Sequence, residues 1–340
     1  MTTRITLWRE LFAEHPRILL KNSDFMVTAF RYASGVEGLK IENSRGHLVI
    51  LPWMGQMIWD AQFDGHDLTM RNMFSQPKPA AEVVATYGCF AFHSGLLAAG
   101  CPGEGDNHPL HGEFACAPMD SAKLIVSNNA IRVVSCREYL KGFGDHYVAN
   151  PSVTLHQNSS MFDIELRVQN MSKYASMPLQ YMCHMNYAFV PSGKITQNLP
   201  ADAFKLRESV PAHVKPTEKW LKLNADIKAG NRDANSLEGA EEFDPEIVYF
   251  ADGVDKLTEE AILEMTCQDG TVFETRFSTE SFPVITRWIL HNEDQKVAAF
   301  ALPGTSRPEG REAARKAGTL IELAPGEART FQVTTGIKEN

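Results

Sequence analysis

The chain has 340 residues, of which 44% are hydrophobic and 22% are charged, and its formal net charge is −9. This composition is typical of a soluble globular protein that can bury a sizeable core. The acidic balance and the lack of any Lys/Arg run argue against a nucleic-acid-binding surface. No segment approaches the roughly 18 consecutive apolar residues of a membrane span. We therefore expect neither nucleic acid nor membrane as a partner.

The first twenty residues predict a short helical lead-in. Leu7, Leu11 and Phe12 recur at helical spacing, and Pro16 would end the run. The same segment lacks the continuous apolar region of a signal peptide. The six cysteines are scattered without a CxxC pair, which suits buried thiols in a reducing compartment. These features predict a cytoplasmic protein.

The remainder of the chain has the rhythm of short strands divided by turn residues. Asp64-Gly65 is one of several dipeptides that favour a tight hairpin. Residues 194–240 are polar, show little periodicity and predict a surface excursion. More than a dozen short strands without alternating helices predict an all-β fold. We expect a large antiparallel β-sandwich with few short helices, forming a single domain over residues 1–340.

The stretch from Tyr87 to Pro118 is the most site-like part of the sequence. It combines glycines, which let a backbone approach a ligand closely, with imidazoles, which exchange protons near neutral pH. Its candidate functional side chains are His93, Asp106, His108, His111 and Glu113.

A second histidine lies on a different predicted strand. His184 is at the centre of the apolar segment QYMCHMNYAF, whereas His111 stands beside Gly112 in HPLHGEF. Two histidines presented to one cavity could carry out acid–base chemistry on a carbohydrate. A buried histidine can equally be a structural residue bonded to a backbone or hydroxyl group, and for His184 both interpretations are open.

Metal ligation is the competing interpretation of the histidine-rich stretch. His93, His108, His111 and Glu113 supply suitable ligand types, but Pro109 intervenes. The spacing matches neither the HExxH helix nor a zinc knuckle. The sequence also lacks a GxSxG elbow, a P-loop and a GxGxxG turn. We therefore predict that the protein uses no metal and no cofactor.

Several segments together resemble the galactose mutarotase-like superfamily, and most closely its aldose 1-epimerase-related bacterial branch. In order along the chain they are HPLHGEFACAP, LQYMCHMNY, PVITRWILHN, PGTSRPEGREAARKAG and LAPGEARTF. The resemblance runs from about Gly35 to the C-terminus. It implies a β-supersandwich with a sugar-binding groove and a cofactor-free interconversion of α and β anomers.

The resemblance also implies roles for individual residues. His111 matches the histidine of the family's Leu-His-Gly element, and His184 matches the strand histidine that acts as general acid at the ring oxygen. The family's general base is a glutamate before a proline near the C-terminus, and Leu302 occupies that position here. Either another carboxylate replaces it, or the protein binds a sugar without epimerising it. The carboxylates considered as replacements are Asp106, Glu113 and Glu309.

We therefore expect an aldose 1-epimerase-like protein that acts on a monosaccharide or a sugar acid, as a monomer or homodimer. Arg71 is the stand-in for the family's sugar-contacting arginine. Two alternatives are open: a carbohydrate-binding or sensing protein on the same scaffold, and a metal-dependent sugar isomerase. The predicted catalytic residues are His111 and His184, and the predicted substrate-binding residues are Arg71, His93, Asp106, Glu113, Asn186 and Glu309.

Overall fold

The computed structural model describes residues 2–207 and 215–339. Strands dominate these residues, with two α-helices and four short 3-10 turns. The strands are β1 Thr3–Thr6, β2 Arg17–Lys21, β3 Met26–Arg31, β4 Glu37–Glu42, β5 Gly46–Leu51, β6 Met57–Phe63, β7 His66–Asp67, β8 Ala91–Leu96, β9 Ser121–Val126, β10 Ala130–Leu140, β11 His146–His156, β12 Met161–Asn170, β13 Met177–Met185, β14 Lys194–Gln197, β15 Lys205–Leu206, β16 Ile247–Asp252, β17 Glu260–Thr266, β18 Val272–Ser278, β19 Val284–His291, β20 Lys296–Gly304, β21 Ile321–Leu323 and β22 Ala328–Ile337. The helices are α1 Glu218–Lys228 and α2 Arg311–Ala317, and the 3-10 turns are Arg9–Leu11, Val83–Thr86, Ala240–Glu242 and Val254–Lys256.

The strands form two large sheets. One has nine strands in the order β1-β9-β10-β11-β12-β22-β18-β17-β14. The other has thirteen, in the order β15-β16-β19-β20-β13-β8-β6-β5-β4-β3-β2, with β7 on β6 and β21 on β13. Each strand pair with a defined register is antiparallel. The predicted all-β antiparallel sandwich is confirmed.

The two sheets face each other across an apolar core to which both contribute. On β12, Phe162 and Leu166 are fully buried, while Asp163 and Glu165 between them point away. This period of two is what a strand with one core face requires. A second apolar cluster, which includes Val49, Leu51, Met57, Trp59 and Phe92, covers the other face of the thirteen-stranded sheet. That sheet is therefore buried on both faces, by the core on its inner face and by this second cluster on its outer face.

The N-terminal segment differs from the predicted helical lead-in. Residues 3–6 form β1, which pairs with β9, and only a single 3-10 turn follows before β2. Leu7 and Phe12 are buried as their apolar character requires. An isolated helix of two turns is marginal in water, whereas pairing with a sheet edge satisfies the backbone of this segment.

Residues 194–240 also have more structure than a surface excursion. Within them, α1 begins after Thr217, whose hydroxyl accepts a hydrogen bond from the backbone N–H of Trp220 at 3.2 Å. Trp220 and Leu223 of this helix are buried. Apolar and charged residues are equally frequent in this helix, and its buried face includes the polar side chain of Asn224, so the apolar pattern is short and interrupted.

A buried arginine ties this segment to the sheet. Arg287 on β19 is fully buried and donates to the side chains of Asn235 at 2.9 Å and Gln197 at 3.2 Å. Its guanidinium also lies over the ring of Phe204, 4.2 Å from the ring centroid. Burial lowers the pKa of Arg287 to about 10.

The predicted hairpin at Asp64-Gly65 is present. Both residues have positive φ, +50° and +82°, and Phe63 pairs with His66 across the turn.

Neither helix of the described chain has the length and apolar character needed to cross a bilayer.

Candidate functional site

The two histidines predicted to be catalytic lie side by side on the outer face of the thirteen-stranded sheet. His184 is on β13, directly opposite Phe92 of the neighbouring strand β8. His111 follows β8 in the chain, and its ring centroid is 4.9 Å from that of His184, with the two rings nearly perpendicular. Both side chains are buried. The structure thus brings together the pair that the sequence placed 73 positions apart.

The backbone at His111 is held in an uncommon conformation. His111 has a φ of +62°, and Gly112 follows at +79°. A Cβ at Gly112 would lie 2.2 Å from the carbonyl oxygen of Ala98 and 2.4 Å from that of Gly95, so only glycine fits. The ring is fixed at its other end by a 2.9 Å contact between Nδ1 and the hydroxyl of Ser94. These contacts orient His111 toward His184.

Aromatic side chains enclose the histidine pair. The ring of Phe92 stacks on His184 at 4.6 Å between centroids, and the indole of Trp288 on β19 lies edge-on at 5.9 Å. The hydroxyl of Tyr87 lies 3.3 Å from His184 Nε2, and the ring of Tyr87 also neighbours His111. An aromatic box of this kind can pack against the apolar face of a sugar ring.

The enclosure shifts the proton affinities of the pair. Burial, with a smaller contribution from the nearby His108, lowers the pKa of His111 to about 3. Burial also lowers the pKa of His184 well below its ordinary value, with a further contribution from His111 and a partial offset from Asn186. Burial raises the pKa of Tyr87 well above its usual range. The enclosure therefore favours the uncharged forms of all three groups.

Only one nitrogen of His184 can exchange a proton with a ligand. Nε2 contacts the hydroxyl of Tyr87, whereas Nδ1 is enclosed and faces away from it. Asn186, predicted to bind substrate, follows β13 and donates from Nδ2 to the carbonyl oxygen of Cys89 at 2.9 Å. The side chain of Asn186 also interacts with His184, which is how it partly offsets the lowering of the His184 pKa. Asn186 is fully buried and therefore supports the strand end that carries His184.

A carboxylate that the sequence analysis missed lies against the aromatic box. The indole N–H of Trp288 donates to Glu246 at 2.7 Å, and Arg207 pairs with the other carboxylate oxygen at 2.7 Å. Both members of this ion pair are largely buried, with side-chain exposures of 15% and 16%. No motif surrounds Glu246 in the sequence, so only the fold reveals its position.

Two of the carboxylates predicted to replace the missing base, Asp106 and Glu309, connect the loop after β8 to the loop before α2. Asp106 accepts hydrogen bonds from the backbone N–H groups of Gly103 at 3.0 Å and Glu312 at 3.2 Å. Glu309 forms a backbone bridge with Gly100 and pairs loosely with Arg307 at 3.9 Å. These contacts hold the loop after β8 against the loop before α2, and they explain Asp106 as a structural residue.

Glu113 and His93 are engaged away from the histidine pair. Glu113 accepts from the backbone N–H groups of Leu96 and Leu97 and from the hydroxyl of Tyr147 at 2.8 Å. His93 lies on the core side of β8, where its Nδ1 is 2.8 Å from the hydroxyl of Tyr181. Strand alternation explains this placement, because Phe92 and Ser94 on either side of His93 face the site.

Arg71 lies in a neighbouring cavity. This cavity of about 500 Å³ is lined by Arg71, Asn72, Gly88 and Lys296 among others, and Gly88 directly follows Tyr87 in the chain. Arg71 is thus beside the aromatic box, and no contact joins it to either histidine in the described chain.

Leu302 has no access to the site. It pairs with Thr286 on β19, is only 1% exposed and packs in the core between the sheets.

The residues proposed for a metal site are not placed to bind one. The described residues contain no group of three or more His, Cys, Asp or Glu side chains placed to hold a metal ion. The four residues of the alternative metal site therefore do not converge.

Sequence comparisons with known proteins give one partial match. A family model described as a domain of unknown function, DUF4432, matches residues 206–337. Among curated proteins, no relative reaches significant similarity.

Solved structures give a broader likeness. A Klebsiella pneumoniae subsp. pneumoniae protein provisionally assigned as an aldose 1-epimerase is similar at a TM-score of 0.77 and 14% identity, over 99% of this chain and 91% of that one. A galactose mutarotase-like protein from Clostridium acetobutylicum gives a TM-score of 0.64 at 12% identity, over 94% of this chain and 100% of that one. Galactose 1-epimerase from Lactobacillus acidophilus gives 0.52 at 12% identity, over 100% and 99%. The galactose mutarotase-like fold expected from the resemblance is confirmed.

Proposed function

We propose that this protein interconverts the α and β anomers of a monosaccharide or sugar acid. The observation that carries the proposal is the perpendicular contact of His111 and His184 inside an aromatic box on a galactose mutarotase-like fold. Paired proton-transfer groups beside an aromatic surface are what ring opening of a pyranose requires.

In the proposed reaction, His184 acts through Nε2. As an imidazolium it gives the Nε2 proton to the ring oxygen as the bond between C1 and that oxygen breaks, and the lowered pKa of His184 favours this release. The hydroxyl of Tyr87 contacts the same nitrogen at 3.3 Å and must either move aside for the sugar or transmit the proton. His111 positions the sugar and stabilises the charge that develops during ring opening.

The alternative function is a carbohydrate-binding or sensing protein without catalysis. It is favoured by Leu302, which cannot accept a proton and is buried in the core. It is also favoured by the contact of the Tyr87 hydroxyl with His184 Nε2, the nitrogen that would have to donate to a sugar.

A panel of aldoses and uronates separates the two functions. Anomer equilibration is followed by polarimetry, and binding is followed in parallel by calorimetry. We expect the parent protein to accelerate equilibration of at least one sugar, and His111→Ala to weaken both binding and rate. Tight binding of one sugar with no acceleration of any would reject the epimerase and establish the binding protein.

A further inference from the structure

The histidine pair supplies proton donors, but the carboxylate base that the family resemblance implies is absent at Leu302. The carboxylates suggested by the sequence are committed elsewhere: Glu113 to backbone N–H groups and Tyr147, and Asp106 to the connection between two loops. Glu309 is 42% exposed on the neighbouring loop. An unassigned carboxylate in contact with the aromatic box is therefore the best candidate.

Glu246 has this property. It lies just before β16, and its Oε2 accepts the indole N–H of Trp288 at 2.7 Å. The indole ring in turn lies 5.9 Å from the ring of His184 and 6.0 Å from that of Tyr87. One aromatic side chain thus separates Glu246 from the histidine pair.

We propose that Glu246 is the carboxylate of this site that accepts the hydrogen of the anomeric hydroxyl. The proposal rests on the proposed function and assigns to Glu246 the role that Leu302 cannot perform. It makes Glu246 a catalytic residue, and it makes Arg207 and Trp288 the positioning residues that hold its two oxygens.

The surroundings of Glu246 suit this role. An ionised carboxylate has about four lone-pair positions, so the bonds to Arg207 and Trp288 leave both oxygens able to accept another hydrogen bond. A carboxylate held at both oxygens is also oriented before the sugar arrives. The electrostatic surroundings agree: burial and Cys89 raise the pKa of Tyr87 most, and the charge of Glu246 raises it further.

The proton balance of the reaction is complete when His184 enters it as an imidazolium, protonated on Nε2, and leaves it as a neutral imidazole. Glu246 takes the hydrogen of the anomeric hydroxyl, and the electrons of that O–H bond form the carbonyl at C1. The bond between C1 and the ring oxygen breaks, and its electron pair stays on the ring oxygen, which takes a proton from His184. Rotation about C1–C2 followed by the reverse transfers closes the ring as either anomer.

The first test is the rate of Glu246→Gln. This change keeps the shape of the side chain but removes the charge and the proton-accepting ability of the carboxylate. We expect kcat for anomer interconversion to fall by about 10²-fold or more, with a smaller change in KM. The matched control is Glu242→Gln, which removes a carboxylate paired with Arg232 a few residues upstream and should retain the parent rate. Trp288→Phe, which keeps a ring but removes the N–H, should reduce kcat by a smaller factor.

The second test uses binding and does not depend on turnover. Affinity is measured by calorimetry for a sugar that the parent binds and for its 1-deoxy analogue, which lacks the anomeric hydroxyl. Glu246→Gln should weaken binding of the reducing sugar by about tenfold and leave the analogue unaffected, because only the first offers a hydrogen to the carboxylate.

The outcomes separate this proposal from the proposed function. If Glu246→Gln interconverts anomers at the parent rate, or weakens both ligands equally, the assignment of Glu246 is wrong while the epimerase stands. If the parent binds a sugar but does not interconvert it, the epimerase is rejected and the binding comparison alone decides whether Glu246 meets the anomeric hydroxyl. A parent protein that binds no sugar of the panel would overturn both.

Discussion

At the scale of single residues, the sequence singled out the two histidines that the fold brings together, but not the side chains around them. His111 and His184 were recognisable because one stands beside a glycine and the other interrupts an apolar strand. Tyr87, Phe92 and Ser94 lie in the same stretch, but nothing in a sequence shows which neighbours face a site until the strand is placed. Glu246 belongs to a different segment and reaches the site only through the pairing of β16 with β19.

Tyr87 should contribute to catalysis through its hydroxyl. Tyr87→Phe keeps the ring that packs against Phe92 and Trp288 but removes the contact to His184 Nε2. We expect slower interconversion, by about tenfold to a hundredfold, with the melting temperature nearly unchanged. Saturation-transfer NMR gives the rate, and thermal unfolding gives the stability. An unchanged rate would show that Tyr87 only covers the site.

The buried histidines should make stability depend on pH. His93 and His111 have a pKa lowered to about 3, chiefly by burial, against 6.5 when unfolded. Between these values the unfolded chain binds more protons, so stability is fully present above pH 6.5 and is lost as pH falls toward 3. Each histidine should cost about 2 kcal/mol between pH 6.5 and 5. Urea unfolding at several pH values measures how the unfolding free energy depends on pH. In His93→Gln this slope should correspond to the uptake of about one proton fewer on unfolding. An identical slope in this variant would contradict the assignment for His93.

At the scale of elements, strands and tight turns were predictable from the sequence, but the N-terminal strand and the helix α1 were not. Alternating apolar residues and the turn at Asp64-Gly65 give the hairpins directly. The helical spacing of Leu7, Leu11 and Phe12 was misleading, because the two buried residues, Leu7 and Phe12, fit a strand end and a 3-10 turn equally well. The helix α1 was missed because its apolar face is narrow.

The loop that presents His111 should depend on Gly112. In Gly112→Ala, the added methyl group would meet backbone carbonyl oxygens that cannot move aside, at a φ that disfavours other residues. We expect a loss of about 1–3 kcal/mol in unfolding free energy and a reduced affinity for sugar, since His111 is displaced. The control is Gly142→Ala, where a methyl group meets no atom within 4 Å and φ is not positive. Equal effects of the two substitutions would contradict the role given to this turn.

At the scale of the whole molecule, the order of the segments carried more information than any single motif. The resemblance predicted the galactose mutarotase-like fold, and the match to the Klebsiella pneumoniae protein spans 99% of the chain at only 14% identity. It also located the family's base position at Leu302, which the fold places in the core. A scaffold therefore determines where a site can form, and the side chains around it determine its chemistry.

Activity should not depend on a metal ion. His93 and Glu113 are engaged with Tyr181 and Tyr147, so they cannot join His111 around one ion without unmaking those contacts. We expect interconversion to survive treatment with a chelator and extensive dialysis. Reproducible loss of activity that one added divalent ion restores would contradict this prediction.

The central claim is that His184 transfers a proton in anomer interconversion, and His184→Ala tests it most directly. The exchange rate between anomers is measured by saturation-transfer NMR in the parent and the variant, on the sugar that the parent accelerates best. Circular dichroism confirms that the variant keeps its strand structure. We predict a loss of about 10²–10⁴-fold in rate, as expected for removal of a general acid. A folded His184→Ala protein that equilibrates anomers as fast as the parent would contradict the claim.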